Sequence, residues 1–111
     1  MPRGRNHAAS CTDGERLYVF GGRSGMNVVG PGFAETQIFQ PGQGWSRGTP
    51  LPLARGGMGK AVFHEGRCFV FGGEVSTDVA VSASDKIEAT RTVYRVDVYD
   101  IATDSWSEAQ V

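Results

Sequence analysis

Apolar residues in this chain come in short runs separated by turn-forming and polar residues, many of them glycine, proline or aspartate. The stretch Arg16-Leu17-Tyr18-Val19-Phe20-Gly21-Gly22 recurs 51 residues later as Arg67-Cys68-Phe69-Val70-Phe71-Gly72-Gly73. β-branched and aromatic side chains suit a pleated surface packed on both sides, so each run predicts a buried β-strand. Two adjacent glycines then remove side-chain bulk and permit positive φ, so the strand turns sharply or lets another backbone approach. A period near 50 residues belongs to propellers and arrays.

Around this repeat the chain predicts two units of four antiparallel strands. Asn6–Thr12 is the first strand, with Asp13-Gly14 as a two-residue hairpin. Glu15–Phe20 returns and stops at the glycine pair. A loop spans Arg23 to Ala34, Glu35–Gln40 is the third strand, and Trp45 opens the fourth after Pro41-Gly42-Gln43-Gly44. Pro50-Leu51-Pro52-Leu53 leads into the second unit. There Arg55–Phe63 is the first strand, His64-Glu65-Gly66 the turn and Arg67–Phe71 the second strand. The segment from Glu74 to Thr90 reads as irregular. Val79-Ala80-Val81 is a small extra strand within it, and Ser84–Glu88 a helical turn capped by Asp85. Thr92–Tyr99 alternates as the third strand, and Trp106 opens the fourth. Glycine pair to tryptophan is 23 residues in the first unit and 33 in the second, with the excess in the long loop. The division expected is residues 1–53 and 54–111.

Composition fits an all-β chain with many tight turns. Glycine makes up 16 of 111 residues, about twice the usual ~7%. With 11 basic and 12 acidic side chains, nothing points to nucleic acid or an anionic membrane. No apolar run reaches the ~18 residues of a membrane helix, and the first residues lack a signal-peptide core. The compartment stays open. Two cysteines do not make a disulfide scaffold. Cys68 reads as a small core residue and Cys11 as a free thiol near a turn.

Several chemical patterns dissolve on inspection. Arg55-Gly56-Gly57-Met58-Gly59-Lys60-Ala61 has Ala54 and Ala61 where a phosphate loop needs Gly and Ser or Thr. His7 and Cys11, like His64 and Cys68, are four apart, ~13 Å on a strand, too far for one ion. The two pairs also fall at different places in the repeat. Asp97, Asp100 and Asp104 lack the close oxygen spacing of a calcium loop and read as turn and solvated-face residues. Trp45 and Trp106 sit at matched positions and read as packing residues rather than sugar platforms. No metal or cofactor is expected.

By antiparallel geometry, the end of the second strand and the connector between units lie on one rim. That rim carries Arg23, Ser24, Arg55, Glu74 and the long loop with Asp78, Asp85, Lys86 and Arg91. Loops on rigid scaffolds commonly carry binding.

Three features together resemble the kelch repeat family of β-propellers. They are the apolar run with its glycine pair (Gly21, Gly22 and Gly72, Gly73), the stretch Val98-Tyr99-Asp100-x-x-Thr103-x-x-Trp106, and the connector Pro50-Leu51-Pro52-Leu53-Ala54-Arg55. The likeness covers nearly the whole chain. The first unit departs, with Phe39-Gln40 for Tyr-Asp and a turn to Trp45 one residue shorter. The resemblance implies that each unit is a blade, with its first strand innermost and its tryptophan strand outermost. It implies a protein or peptide partner on the rim, gripped by basic residues after the glycine pair or in the connector, where Arg5, Arg23 and Arg55 fall. Arginine there favours an acidic partner. Two blades do not close a ring, so further blades or self-assembly are expected. The second reading is part of a carbohydrate-active enzyme, like galactose oxidase or a sialic acid mutarotase. The copper site of the former needs Tyr and His converging near the axis. Here Tyr18, Tyr94 and Tyr99 lie in strands, and His7 alone is near an inner one.

Overall fold

The computed structural model describes residues 4–23, 32–80 and 86–110, with backbone alone over 76–80 and 86–90. Strands β1 (Ala9–Thr12), β2 (Leu17–Phe20), β3 (Thr36–Gln40) and β4 (Gly44–Gly48) form one antiparallel sheet in chain order. Strands β5 (Val62–His64), β6 (Arg67–Phe71), β9 (Val96–Asp100) and β10 (Ser105–Glu108) form the second in the order β5-β6-β9-β10. Between β6 and β9 the chain makes a separate hairpin of β7 (Glu74–Ala80) and β8 (Lys86–Thr92). The described residues contain no helix.

Alternation decides what the sheets bury. Ala9 and Cys11 point inward from β1, opposite Phe20 and Tyr18 of β2. The second sheet answers with Cys68, Val70, Tyr99 and Trp106, and Leu51 and Met58 enter from the connector. Phe20 meets Trp106 edge-on at 5.2 Å and Tyr99 at 5.5 Å, so the core lies between the two blades. On the far side of the second sheet, Val62 and Phe71 are 50% and 45% exposed. Their counterparts 51 residues earlier, Cys11 and Phe20, are buried.

Both glycine pairs adopt one conformation, with φ of 62° and 101° at Gly21 and Gly22 and 62° and 109° at Gly72 and Gly73. A Cβ on Gly21 would stand 2.6 Å from the Arg55 carbonyl oxygen. The pair is required by both torsion and space.

Several expectations change. Asp13-Gly14 is not a two-residue hairpin. The Asp13 carboxylate accepts the Glu15 and Arg16 amides at 2.9 and 2.8 Å, which holds a four-residue loop between Thr12 and Leu17. Glu65-Gly66 is the two-residue turn, with φ of 48° and 78°, between paired His64 and Arg67. The strand expected over Arg55–Phe63 shrinks to β5, because Arg55 and Gly57 bond the backbone of the first blade instead. The strand expected over Thr92–Tyr99 is broken. Val93 donates to the Gly73 carbonyl and Arg95 accepts the Gly72 amide, which ends β8 and starts β9 afresh. The irregular segment is the β7–β8 hairpin, where Asp78 pairs with Glu88 and Val79 with Ile87. Lys86, Ile87 and Glu88 are therefore strand, not helical turn; Val81, Ser84 and Asp85 lie outside the described residues. Cys11 is not a free thiol. It is bonded to Cys68 across the blade interface, with Cα atoms 6.5 Å apart.

Candidate functional site

The rim is built on the two glycine pairs. The turn after β2 leaves the Gly22 amide pointing at the connector, where it donates to the Arg55 carbonyl at 2.9 Å. The Arg55 amide donates to Phe33 at 3.1 Å. Its side chain turns the other way. Nε donates to the Gly72 carbonyl at 2.5 Å, and Nη1 donates to the Leu53 carbonyl at 3.1 Å and pairs with Asp97 at 2.8 Å. Arg55 thus joins the glycine pair of one blade by its backbone to that of the next by its guanidinium.

Arg5 repeats the side-chain half of this arrangement one blade earlier. Its Nη1 donates to the Gly21 carbonyl at 2.7 Å and its Nη2 pairs with Glu35 at 2.7 Å. The guanidinium also lies over the Phe33 ring at 5.1 Å. In each blade an arginine from the preceding segment seals the first glycine carbonyl and takes an acid beside it. The acid moves, from Glu35 just before β3 in one blade to Asp97 within β9 in the other.

These contacts change the reading of the rim. Arg55 is buried, Arg5 is held by Gly21 and Glu35, and Arg23 is buried and backbone-bonded to Asn6. None of the three guanidinium groups is displayed to solvent as an expected grip on a partner would be. Asp97 is not a solvated-face aspartate but is buried between Arg55 and Arg95. Its hydrogen bonds raise the Arg95 pKa above the ordinary arginine value. Glu74 is half-buried and bridged by backbone to Gly56. Arg91 is exposed at the base of the hairpin. Lys86 and Asp78 are described by backbone alone, and Ser24 and Asp85 lie outside the described residues.

Tyr94, expected from alternation to lie in a strand, is 91% exposed, three residues after Arg91. Its signal is the break made by the Gly73 carbonyl, which only the folded chain displays.

The outer edge carries a second cluster. Thr49, just past β4, brings its amide to Asp104 at 2.8 Å and its hydroxyl at 2.9 Å. The Tyr99 hydroxyl donates to the same carboxylate at 2.5 Å, and the Trp106 indole donates to the Thr49 carbonyl at 2.7 Å. A Cβ on Gly48 would stand 2.9 Å from both the Asp104 and the Tyr99 oxygens, so this contact needs glycine there. Burial raises the Tyr99 pKa, and the hydrogen bond from Tyr99 lowers that of Asp104. Asp100 caps the same turn by accepting the Thr103 amide at 3.3 Å. Trp45 packs on Phe39 at 5.2 Å.

At the opposite end from the rim, Ser10, Cys11, Leu17, Lys60, Val62 and Phe63 help line a mostly apolar groove of about 440 Å³. Tyrosine and histidine do not gather anywhere as a copper site would need. Tyr18 and Tyr99 are in the interblade core, whereas Tyr94 and His7 are exposed. Among the described residues no group of three or more His, Cys, Asp or Glu side chains converges.

No protein-family model matches the chain. It is 28% identical over 108 residues to Kelch-like protein 25 of Xenopus tropicalis, an alignment covering 96% of this chain and 17% of that protein. It superposes on the structure of YjhT with a TM-score of 0.70 at 17% identity, covering 99% of this chain and 28% of that one. The chain therefore spans less than a third of the length of either protein.

Proposed function

From the premise that this chain is a pair of kelch repeats folded as two propeller blades, we propose that it is a binding scaffold whose rim holds a protein or peptide partner. The observation that carries this reading is the β7–β8 hairpin. Seven residues in each strand grow from the rim of the second blade. Tyr94 and Arg91 stand exposed at its base. Tyrosine and arginine are the residue types that most often anchor interfaces. The acidic character expected of the partner rested on Arg5, Arg23 and Arg55. With those side chains turned inward, the proposal keeps the protein partner and drops the charge preference. Partner binding by the rim needs no catalytic group.

The test is site-specific photocrosslinking in the full-length protein. A crosslinker at Tyr94 is expected to capture a discrete partner, and one at Ser107 on the outermost strand is not. Tyr94→Ala should then weaken that partner's binding roughly tenfold or more. Equal capture from both positions, or binding untouched by Tyr94→Ala, would reject the rim.

A further inference from the structure

Cys11 lies on the first strand of one blade and Cys68 on the second strand of the next, 57 residues apart in sequence. The matched positions in the other repeat are Val62 and Leu17. The repeat pattern therefore asks for cysteine at neither place. Both cysteines nevertheless meet across the interface between these two blades. Their Cα separation of 6.5 Å is within the span a disulfide bridges. Cys68 has no exposed surface, whereas Cys11 lines the apolar groove at the end away from the rim.

We propose that the Cys11–Cys68 bond is a reducible lock on the blade junction, opened from the groove side. A thiolate of a small dithiol enters the groove and attacks the Cys11 sulfur. The bond to Cys68 breaks, and Cys68 leaves as a thiolate that takes up a proton. The second thiol of the reductant then displaces Cys11 and departs as a cyclic disulfide. Two electrons pass from dithiol to cystine, and two protein thiols result. Cys68 leaves into apolar surroundings that disfavour its charge, so opening is slow beside that of an exposed cystine. Once open, β1 and β6 lose their covalent link, the junction keeps its packing and hydrogen bonds such as Gly57 to His7, and the 57-residue loop between the cysteines regains its freedom when the chain unfolds.

The test compares the 111-residue chain after oxidation by glutathione disulfide and after reduction by dithiothreitol. The oxidised chain is expected to resist iodoacetamide, and the reduced chain to be alkylated at both cysteines together. Its melting temperature should fall by roughly 10–20 °C. The double variant Cys11→Ser, Cys68→Ser should melt like the reduced chain and ignore the reductant. A shifted pair, Cys11→Ser with Thr12→Cys, puts the thiol on the exposed side of β1. It should not cross-link. Cross-linking of the shifted pair as readily as the natural one would mean that the bond forms in unfolded chain, and would sink the proposal. So would alkylation of both cysteines after oxidation, or equal melting in the two redox states.

Discussion

Arg55 and Asp97 meet at 2.8 Å with neither side chain exposing any surface. Taking two charges out of water is costly, so this pair is weak evidence for stability by itself. Its value is positional. The guanidinium that grips Asp97 also seals the Gly72 carbonyl, while the backbone of the same residue accepts the Gly22 amide.

Removing one partner should therefore be severe. Arg55→Ala leaves the Asp97 carboxylate buried with Arg95 alone and should cost about 3–5 kcal/mol. Replacing both, as Arg55→Met with Asp97→Leu, should recover much of that loss but not the bond to the Gly72 carbonyl. Urea unfolding of the three proteins measures both effects. A cost below about 1 kcal/mol for Arg55→Ala, typical of an exposed pair, would contradict the assignment.

The Tyr99–Asp104 contact should appear in the pH dependence of melting. Asp104 has a pKa lowered from 3.8, so its contribution is present above that value and fades as pH falls through the folded pKa. Tyr99 has a pKa raised from 10.0, so its contribution is full below that value and is lost as pH rises toward the folded pKa. Asp104→Asn should flatten the acid limb and Tyr99→Phe the alkaline limb. Tyr99→Phe should also cost about 1–2 kcal/mol at neutral pH. Unchanged limbs in both variants would remove the contact from the folded state.

The far face of the second blade should make the isolated chain self-associate. Val62 and Phe71 are exposed where the repeat buries Cys11 and Phe20. Phe71→Asp places a charge in that face and should weaken association roughly tenfold or more, from the ~1.5–3 kcal/mol that burying a phenylalanine contributes. Light scattering across a concentration series measures this. A chain that stays monomeric at every concentration would show that the exposed face does not drive association.

Much of the architecture was legible along the chain. The 51-residue repeat, the strands before each glycine pair and the matched Trp45 and Trp106 follow from alternation and spacing, and the eight blade strands arise where these predict them, with shifted ends. Burial was expected of both repeated strands, but only β2 is buried from Tyr18 to Phe20, whereas β6 buries Cys68 and Val70 and leaves Phe71 exposed. The candidate site was legible as a place rather than as a set of side chains. Arg5 and Arg55 were grouped by the places they take in the repeat, but spacing does not say that each seals a glycine carbonyl. Both read as displayed charges because a charged residue in a loop is usually solvated.

The chain's own pattern determined that there are two blades, because side-chain period and turn residues act locally and need no knowledge of what packs against them. Stacking decided the rest. Whether Asp97 meets solvent or Arg55, whether Cys11 stays a thiol or bonds Cys68, and whether 74–92 is a loop or a hairpin depend on contacts with residues far along the chain. A buried polar or reactive group takes whatever partner the neighbouring blade brings within reach, and that reach is set by three-dimensional geometry, not by sequence distance.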